Sequence, residues 1–394
     1  MPRYAVVYLT GIFHPGRCSH RMAHCVAVLA TTTTAATSTS LSASRNVRQT
    51  CTTATVTATS TLSAPTATST KAVGQLPALG YNAYGCVHAF RQILLRIWCS
   101  TQPMTSRIMD ARYNYINIDD CWAELTRENT TQQIVPDPVK FPIAISGVAS
   151  QIHSIGLKLD IYSDAGDNTC ADIDVSAFTS WGVDYLKYDT IVPAPNNAAL
   201  DLQPTPVEFS LCIWGRENVL EWGPKVRYSW RVTKDIRPAW DSIISIIIAN
   251  AAILDYVDFY AHNDVDTMEV DNGNFTIEEE RSHFAAWAFM KSPILLGTTL
   301  RALNSDQLAI ISNANLLAFH QGDEYGTPAK PFQATPDTPV TSPPEYHAGQ
   351  SKKGTHVFIL NTANTTQTKT FNFASVPGIG KAPYRITDMW SNMH

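Results

Sequence analysis

The chain has 394 residues, of which 16% are charged and 10% aromatic, and a net charge of about −5. That length allows two or three domains, or one large α/β barrel with an appendage, and is ample for a sizeable core. No basic cluster points to nucleic acid and no apolar run reaches membrane-spanning length, so neither partner is expected.

Residues 1–73 differ in texture from everything that follows. Tyr4 to Phe13 is a short apolar run closed by Pro15, Met22 to Ala30 is a second, and a Thr/Ser/Ala tract runs from Thr31 to Thr70. Either apolar run has the length of a signal-peptide core, but neither ends in a convincing small-residue cleavage site. The tract has too little apolar surface to fold, so residues 1–73 are expected to be a disordered Thr/Ser-rich segment. An O-glycosylated stalk and a non-native extension are both open readings of it.

From Leu76 short apolar strands alternate with amphipathic helical stretches, the pattern of a parallel sheet with helix crossovers. Strands are expected at 78–83, 113–119, 157–163, 185–189, 209–214, 227–231, 257–261 and 293–297. Helices are expected at 141–154, 175–181, 239–254, 277–290 and 305–319. Eight strands with helices between them predict a (β/α)₈ barrel over 74–324. Polar residues gather at the C-terminal strand ends, among them Asn82, Asp119, Asp120, Asp164, Asp189 and Asp235, where such barrels place catalytic groups. From Tyr325 prolines punctuate the chain, and runs at 356–361, 368–373 and 384–388 read as short strands. Residues 325–394 are therefore expected to be a small antiparallel β domain, incomplete because so few strands precede the end.

The most informative stretch is Tyr185-Leu-Lys-Tyr-Asp189. Its bulky residues predict a buried strand, and the i, i+2 spacing sends Lys187 and Asp189 out of one face. A Lys–Asp ion pair at a strand end explains this motif taken alone. Further carboxylates in Ser229-Trp-Arg-Val-Thr-Lys-Asp235 and Ile118-Asp-Asp-Cys-Trp122, with tryptophans between, point instead to a sugar site. Tryptophan faces stack on sugar C–H surfaces, carboxylates bind hydroxyls, and two carboxylates can cleave a glycosidic bond. The histidines show no metal-ligand spacing, so no metal is expected.

These motifs resemble the fungal α-galactosidases of glycoside hydrolase family 27 (melibiases). The resemblance runs in order through Leu76–Tyr84, Tyr115–Trp122, Gly156–Gly166, Trp181–Asp189, Ser210–Gly215, Ser229–Ile236, His262–Asp266 and Met290–Gly297. It implies a (β/α)₈ TIM barrel followed by an antiparallel β-sandwich, no cofactor, and release of terminal α-linked galactose with retained configuration. It also implies Asp189 as nucleophile and Asp235 as acid/base. Asp119 and Asp120 would receive the 4- and 6-hydroxyls; Tyr81, Tyr162, Lys187, Cys212, Trp214 and Arg231 would complete the substrate site. It further implies a Cys86–Cys121 disulfide and a secreted protein, in which the sequons at Asn129, Asn274 and Asn364 would be glycosylated.

The departures from the family bear on function. Tyr81 replaces a usual tryptophan, Ile213 a usual glutamate near the 2-hydroxyl, and Thr190-Ile191 an Asn-Cys pair, which leaves Cys170 without its usual partner. Arg112 and Asp160 stand at usual glycines. Between Asp189 and Phe209 only nineteen residues intervene, with Asn196–Gln203 as the sole helical candidate. This short crossover and a thinly covered β domain predict low stability and weak turnover. Two other readings stay open: α-N-acetylgalactosaminidase-like specificity, and a catalytically impaired carbohydrate-binding relative.

Overall fold

The computed structural model describes residues 4–11, 73–82, 103–164, 171–189, 196–226, 228–363 and 365–393. Period-two alternation builds the central sheet. In Tyr185–Asp189 (β5), Leu186 and Tyr188 face outward into a core shared with Ile161, Phe209 and Leu211, while Tyr185, Lys187 and Asp189 take the other face. Seven further parallel strands surround it: Leu79–Asn82 (β2), Tyr115–Ile118 (β3), Lys158–Asp164 (β4), Glu208–Cys212 (β6), Ser229–Arg231 (β7), His262–Asp264 (β8) and Ile294–Leu296 (β9). Their order is β8-β7-β6-β5-β4-β3-β2-β9. A parallel bridge from Met268 to Leu296, with Gly297 N–H on Met268 O at 3.0 Å, closes the ring just past β8. The expected barrel is therefore formed.

Helices cover the wall where their apolar stripes dictate. In Ala144–Ser154 (α2, after Pro103–Asp110, α1), Ile145, Val148, Ala149 and Ile152 are buried at i, i+3, i+4, i+7. Ala171–Trp181 (α3), the short Asn196–Asp201 (α4), Val219–Val226 (α5) and Trp240–Ala251 (α6) continue around the ring. Ile277–Met290 (α7) starts at a capping box of Thr276 and Glu279 and is buried on nearly every side, because it lies between barrel and C-terminal sheet. The helix expected at 305–319 is two, Ser305–Ile311 (α8) and Ala314–His320 (α9), since Asn313 turns its side chain onto the N–H groups of 315 and 316 and caps a new start. The strand expected at 257–261 is a tight turn in which Asp258 and Ala261 exchange backbone hydrogen bonds, and the strand begins at His262.

The C-terminal sheet has the order β10-β11-β12-β1-β13, with Lys330–Pro331 (β10), Tyr346–Ser351 (β11), Gly354–Leu360 (β12) and Tyr384–Asp388 (β13). Its fourth position is filled from the far end of the chain by Tyr4–Gly11 (β1), within the segment expected to be disordered. The run at 368–373 forms no strand; Phe371 packs instead with Phe332, Tyr346 and Val376 on the outer face of the sheet. The barrel-facing side is better covered than expected. Phe358, Leu360 and Met389 join the core of α7, and Phe289 stacks on Phe319 with centroids 4.7 Å apart.

Candidate active site

Inward-facing residues at the C-terminal strand ends open into one cavity of about 460 Å³. β3 and its end supply Asp119 and Asp120, β4 Tyr162, β5 Lys187 and Asp189, β6 Cys212, and β7 with the loop after it Arg231 and Asp235. Eight of the ten expected catalytic and substrate residues thus meet there. Two do not. Alternation in β2 puts Asn82 into the cavity and Tyr81 on the wall side with Leu79, between the two core clusters. Trp214 lies two residues past β6 at a φ of 56°, so the strand period no longer applies, and its ring sits under the Arg216 guanidinium at 5.0 Å. Ile213 is buried in the wall core and does not line the cavity.

Two ion pairs brace the cavity from opposite sides. On one, Asp119 Oδ2 accepts from Lys187 Nζ at 2.9 Å and from Asn82 Nδ2 at 2.8 Å, while Oδ1 accepts from the Asp120 N–H. Burial works to raise the Asp119 pKa, but Lys187 and these donors outweigh it and hold the group below its ordinary value. On the other side the buried Arg231 meets Asp266 Oδ2 at 2.5 Å and reaches Asp235 Oδ1 at 3.3 Å. Burial opposes the Arg231 charge, yet Asp266 and Asp264 hold it on.

Between the pairs lie the two candidate catalytic carboxylates, in unlike surroundings. Asp189 is half-buried and receives the Tyr162 hydroxyl at 3.4 Å. Its pKa is raised, chiefly by burial, against the lowering effect of Lys187. Asp235 is 70% exposed, open to the solvent from which an acid/base must exchange its proton. The Cys212 thiol is pushed up to about 12 by burial, so it lines the cavity as a neutral group.

The far wall was not assigned from sequence. Ile236, Pro238, Asp266, Thr267, Glu269, Asn272 and Gly297 complete the lining. Glu269 accepts from Thr267 Oγ1 at 2.9 Å and from Asn272 Nδ2 at 2.6 Å. Asp266 stood in the motif His262–Asp266, but its φ of 80° breaks the strand period that would have aimed it. Of the expected Cys86–Cys121 disulfide only the Cys121 end lies among the described residues. Cys121 is a free thiol at a φ of 67°, a left-handed turn that leaves it exposed, while Cys86 and Cys170 lie outside the described residues.

Comparison with known proteins places this geometry. The family models "Alpha galactosidase A" and "Alpha galactosidase C-terminal beta sandwich domain" match residues 101–322 and 341–394. Probable α-galactosidase B of Aspergillus fumigatus is 39% identical, covering 81% of this chain and 87% of its own. That of Talaromyces emersonii is 37% identical over 81% and 87%. Among solved structures, α-galactosidase I of Mortierella vinacea aligns with a TM-score of 0.65 at 27% identity, covering 74% of this chain and 82% of its own. The Saccharomyces cerevisiae α-galactosidase, also solved with raffinose, aligns at 0.61 with 27% identity, covering 74% and 75%. With barrel, C-terminal antiparallel sheet and carboxylate-lined mouth all in place, the chain belongs to the α-galactosidases of glycoside hydrolase family 27, retaining enzymes that remove α-linked galactose.

Proposed function

We propose that Asp189 and Asp235 carry the double displacement. The Asp189 carboxylate attacks the anomeric carbon while Asp235 gives its proton to the departing glycosidic oxygen. Asp235 then takes a proton from the water that displaces Asp189, so the sugar leaves with its original α configuration. The observation that carries this reading is that both side chains open into one cavity between the Lys187–Asp119 and Arg231–Asp266 pairs. Those pairs fix charges around the reacting centre that need not reorganise as it turns cationic. Asp119 and Asp120 receive the sugar hydroxyls, and Tyr162 steadies the nucleophile. The substrates are terminal α-galactosides of the raffinose kind.

Azide separates the two roles. With an activated aryl α-galactoside, Asp189→Gly plus azide is expected to give the β-galactosyl azide and Asp235→Gly plus azide the α anomer. The reverse pattern exchanges the assignments, and no change in turnover in either variant removes them.

A second reading, α-N-acetylgalactosaminide hydrolysis, is favoured by the end of β6. There the small neutral Cys212 lines the cavity and Ile213 is turned into the wall. Comparing aryl α-galactoside with its N-acetylgalactosamine analogue decides between them by kcat/KM. Secretion is supported by the exposure of Asn129 and Asn274. Recovery of an endoglycosidase-sensitive protein from culture medium tests it.

A further inference from the structure

We propose that the space between β12 and β13 is a binding slot for one extended peptide strand, and that residues 4–11 of the same chain occupy it as a separable donor strand. β1 pairs antiparallel on both sides, from Tyr4 opposite Leu360 to Leu9 opposite Thr355, and from Val7 opposite Asp388 to Gly11 opposite Tyr384. Among the described strands β13 has no other ladder partner, so β1 bridges a gap about two strand spacings wide, roughly 10 Å.

Both walls of the slot are held without β1. β12 is paired with β11 along its length and buries Phe358 and Leu360 in the core of α7. β13 runs into Met389, which is fully buried in the same core, and whose carbonyl accepts from Asn313 Nδ2 and Asn315 Nδ2 at 3.1 and 3.0 Å. The slot therefore keeps two facing rows of backbone donors and acceptors that an incoming strand satisfies together, the geometry of strand addition into a sheet.

Residues 12–72 lie between β1 and the barrel in the sequence, and β1 is placed by its two ladders, with β12 and with β13.

The test uses the full chain with a protease recognition site introduced in the Thr31–Thr70 tract. After cutting, the N-terminal fragment is expected to co-elute with the body on native size exclusion, with the melting temperature unchanged. An excess of labelled synthetic peptide of residues 4–11 should then exchange into the complex. Val7→Pro removes the N–H that faces β12 opposite Val357 and clashes with that strand, so it should lower the melting temperature of the uncut chain and release the fragment on cutting. A wild-type fragment that elutes alone after the cut, or a Val7→Pro fragment that stays bound, overturns the slot. Light scattering should give a monomer before cutting; a dimer that falls to monomers on cutting puts the strand in a second copy and overturns the assignment within one chain.

Discussion

The inside of the barrel holds two tiers of buried acids that meet burial in opposite ways. At the mouth, Asp119 and Asp266 each face a cation, Lys187 and Arg231, and Asp119 is held below its ordinary pKa. Deeper in, Asp160 on β4 is fully buried and neither carboxyl oxygen has a hydrogen-bond partner. Burial raises its pKa well above the ordinary range, against the lowering effect of Lys187. Glu208 on β6, at the same depth, accepts the Tyr115 hydroxyl at 2.8 Å and is raised to about 7 by burial. The balance changes with depth: at the mouth Lys187 and the hydrogen-bond donors outweigh burial at Asp119, whereas deeper in burial outweighs Lys187 at Asp160 and Lys158 at Glu208.

The strongest way to break this comparison is at the mouth. Asp189→Asn and Asp235→Asn should each lower kcat by about 10²–10⁴-fold or more, since each loses a nucleophile or a proton donor. Both variants should keep the wild-type melting temperature to within a few degrees, because neither side chain makes a fully buried pair. Unchanged turnover in either would dissolve the functional half of the contrast.

Next in size is the Arg231–Asp266 pair. Arg231→Met leaves Asp266 buried and facing no cation, which should cost about 3–5 kcal/mol in urea unfolding, whereas Arg231→Met with Asp266→Leu should recover most of that. If the double variant is no better than the single, the pair is not what holds the two groups there.

Much of this organisation was legible in the sequence, and the misses share a cause. β5 and α7 were read to the residue, because five alternating residues and a Thr-x-x-Glu start leave little freedom. The short crossover helix was also placed: prolines on both sides bound the candidate to 196–203, and the helix takes 196–201 of it. Trp214 was misread and Asp266 missed where a positive φ ends strand alternation, an event only the backbone reveals. Arg112, at a position where the family pattern has glycine, has a φ of 68°, in the left-handed region that glycine favours. β1 was illegible for another reason: its partners lie at the opposite end of the chain, and an eight-residue apolar run looks the same in a leader and in a sheet.

The lower tier should appear as a pH effect of the opposite sign to that of a paired carboxylate. Glu208 binds its proton more tightly folded than unfolded, so its contribution is full below about 4.5 and is lost as pH rises to about 7. A difference of that size corresponds to about 3 kcal/mol. Glu208→Gln should flatten the stability profile across that window. A wild-type profile that instead rises from pH 4.5 to 7, unaltered by Glu208→Gln, would show the group ionised in the fold.

Asp160 supplies the smallest and most selective test. If it is a neutral acid, replacing it with an uncharged group of the same shape removes no ion pair and no hydrogen bond. Asp160→Asn should therefore be neutral or mildly stabilising near pH 7, because burial disfavours the wild-type carboxylate charge and the variant carries none. Below about pH 4 the unfolded wild-type chain is protonated as well, and the two proteins should converge. Working against the gain, the new amide brings donors that need partners, and buried Asn117, directly opposite Asp160 in the β3–β4 register and itself unpaired, is placed to supply one. The matching change at the mouth, Asp119→Asn, leaves Lys187 without its counter-charge and should be strongly destabilising. A loss of about 3–5 kcal/mol for Asp160→Asn, the size expected when a buried ion pair is broken, would mean that Asp160 is ionised against Lys187 and that the two tiers are one.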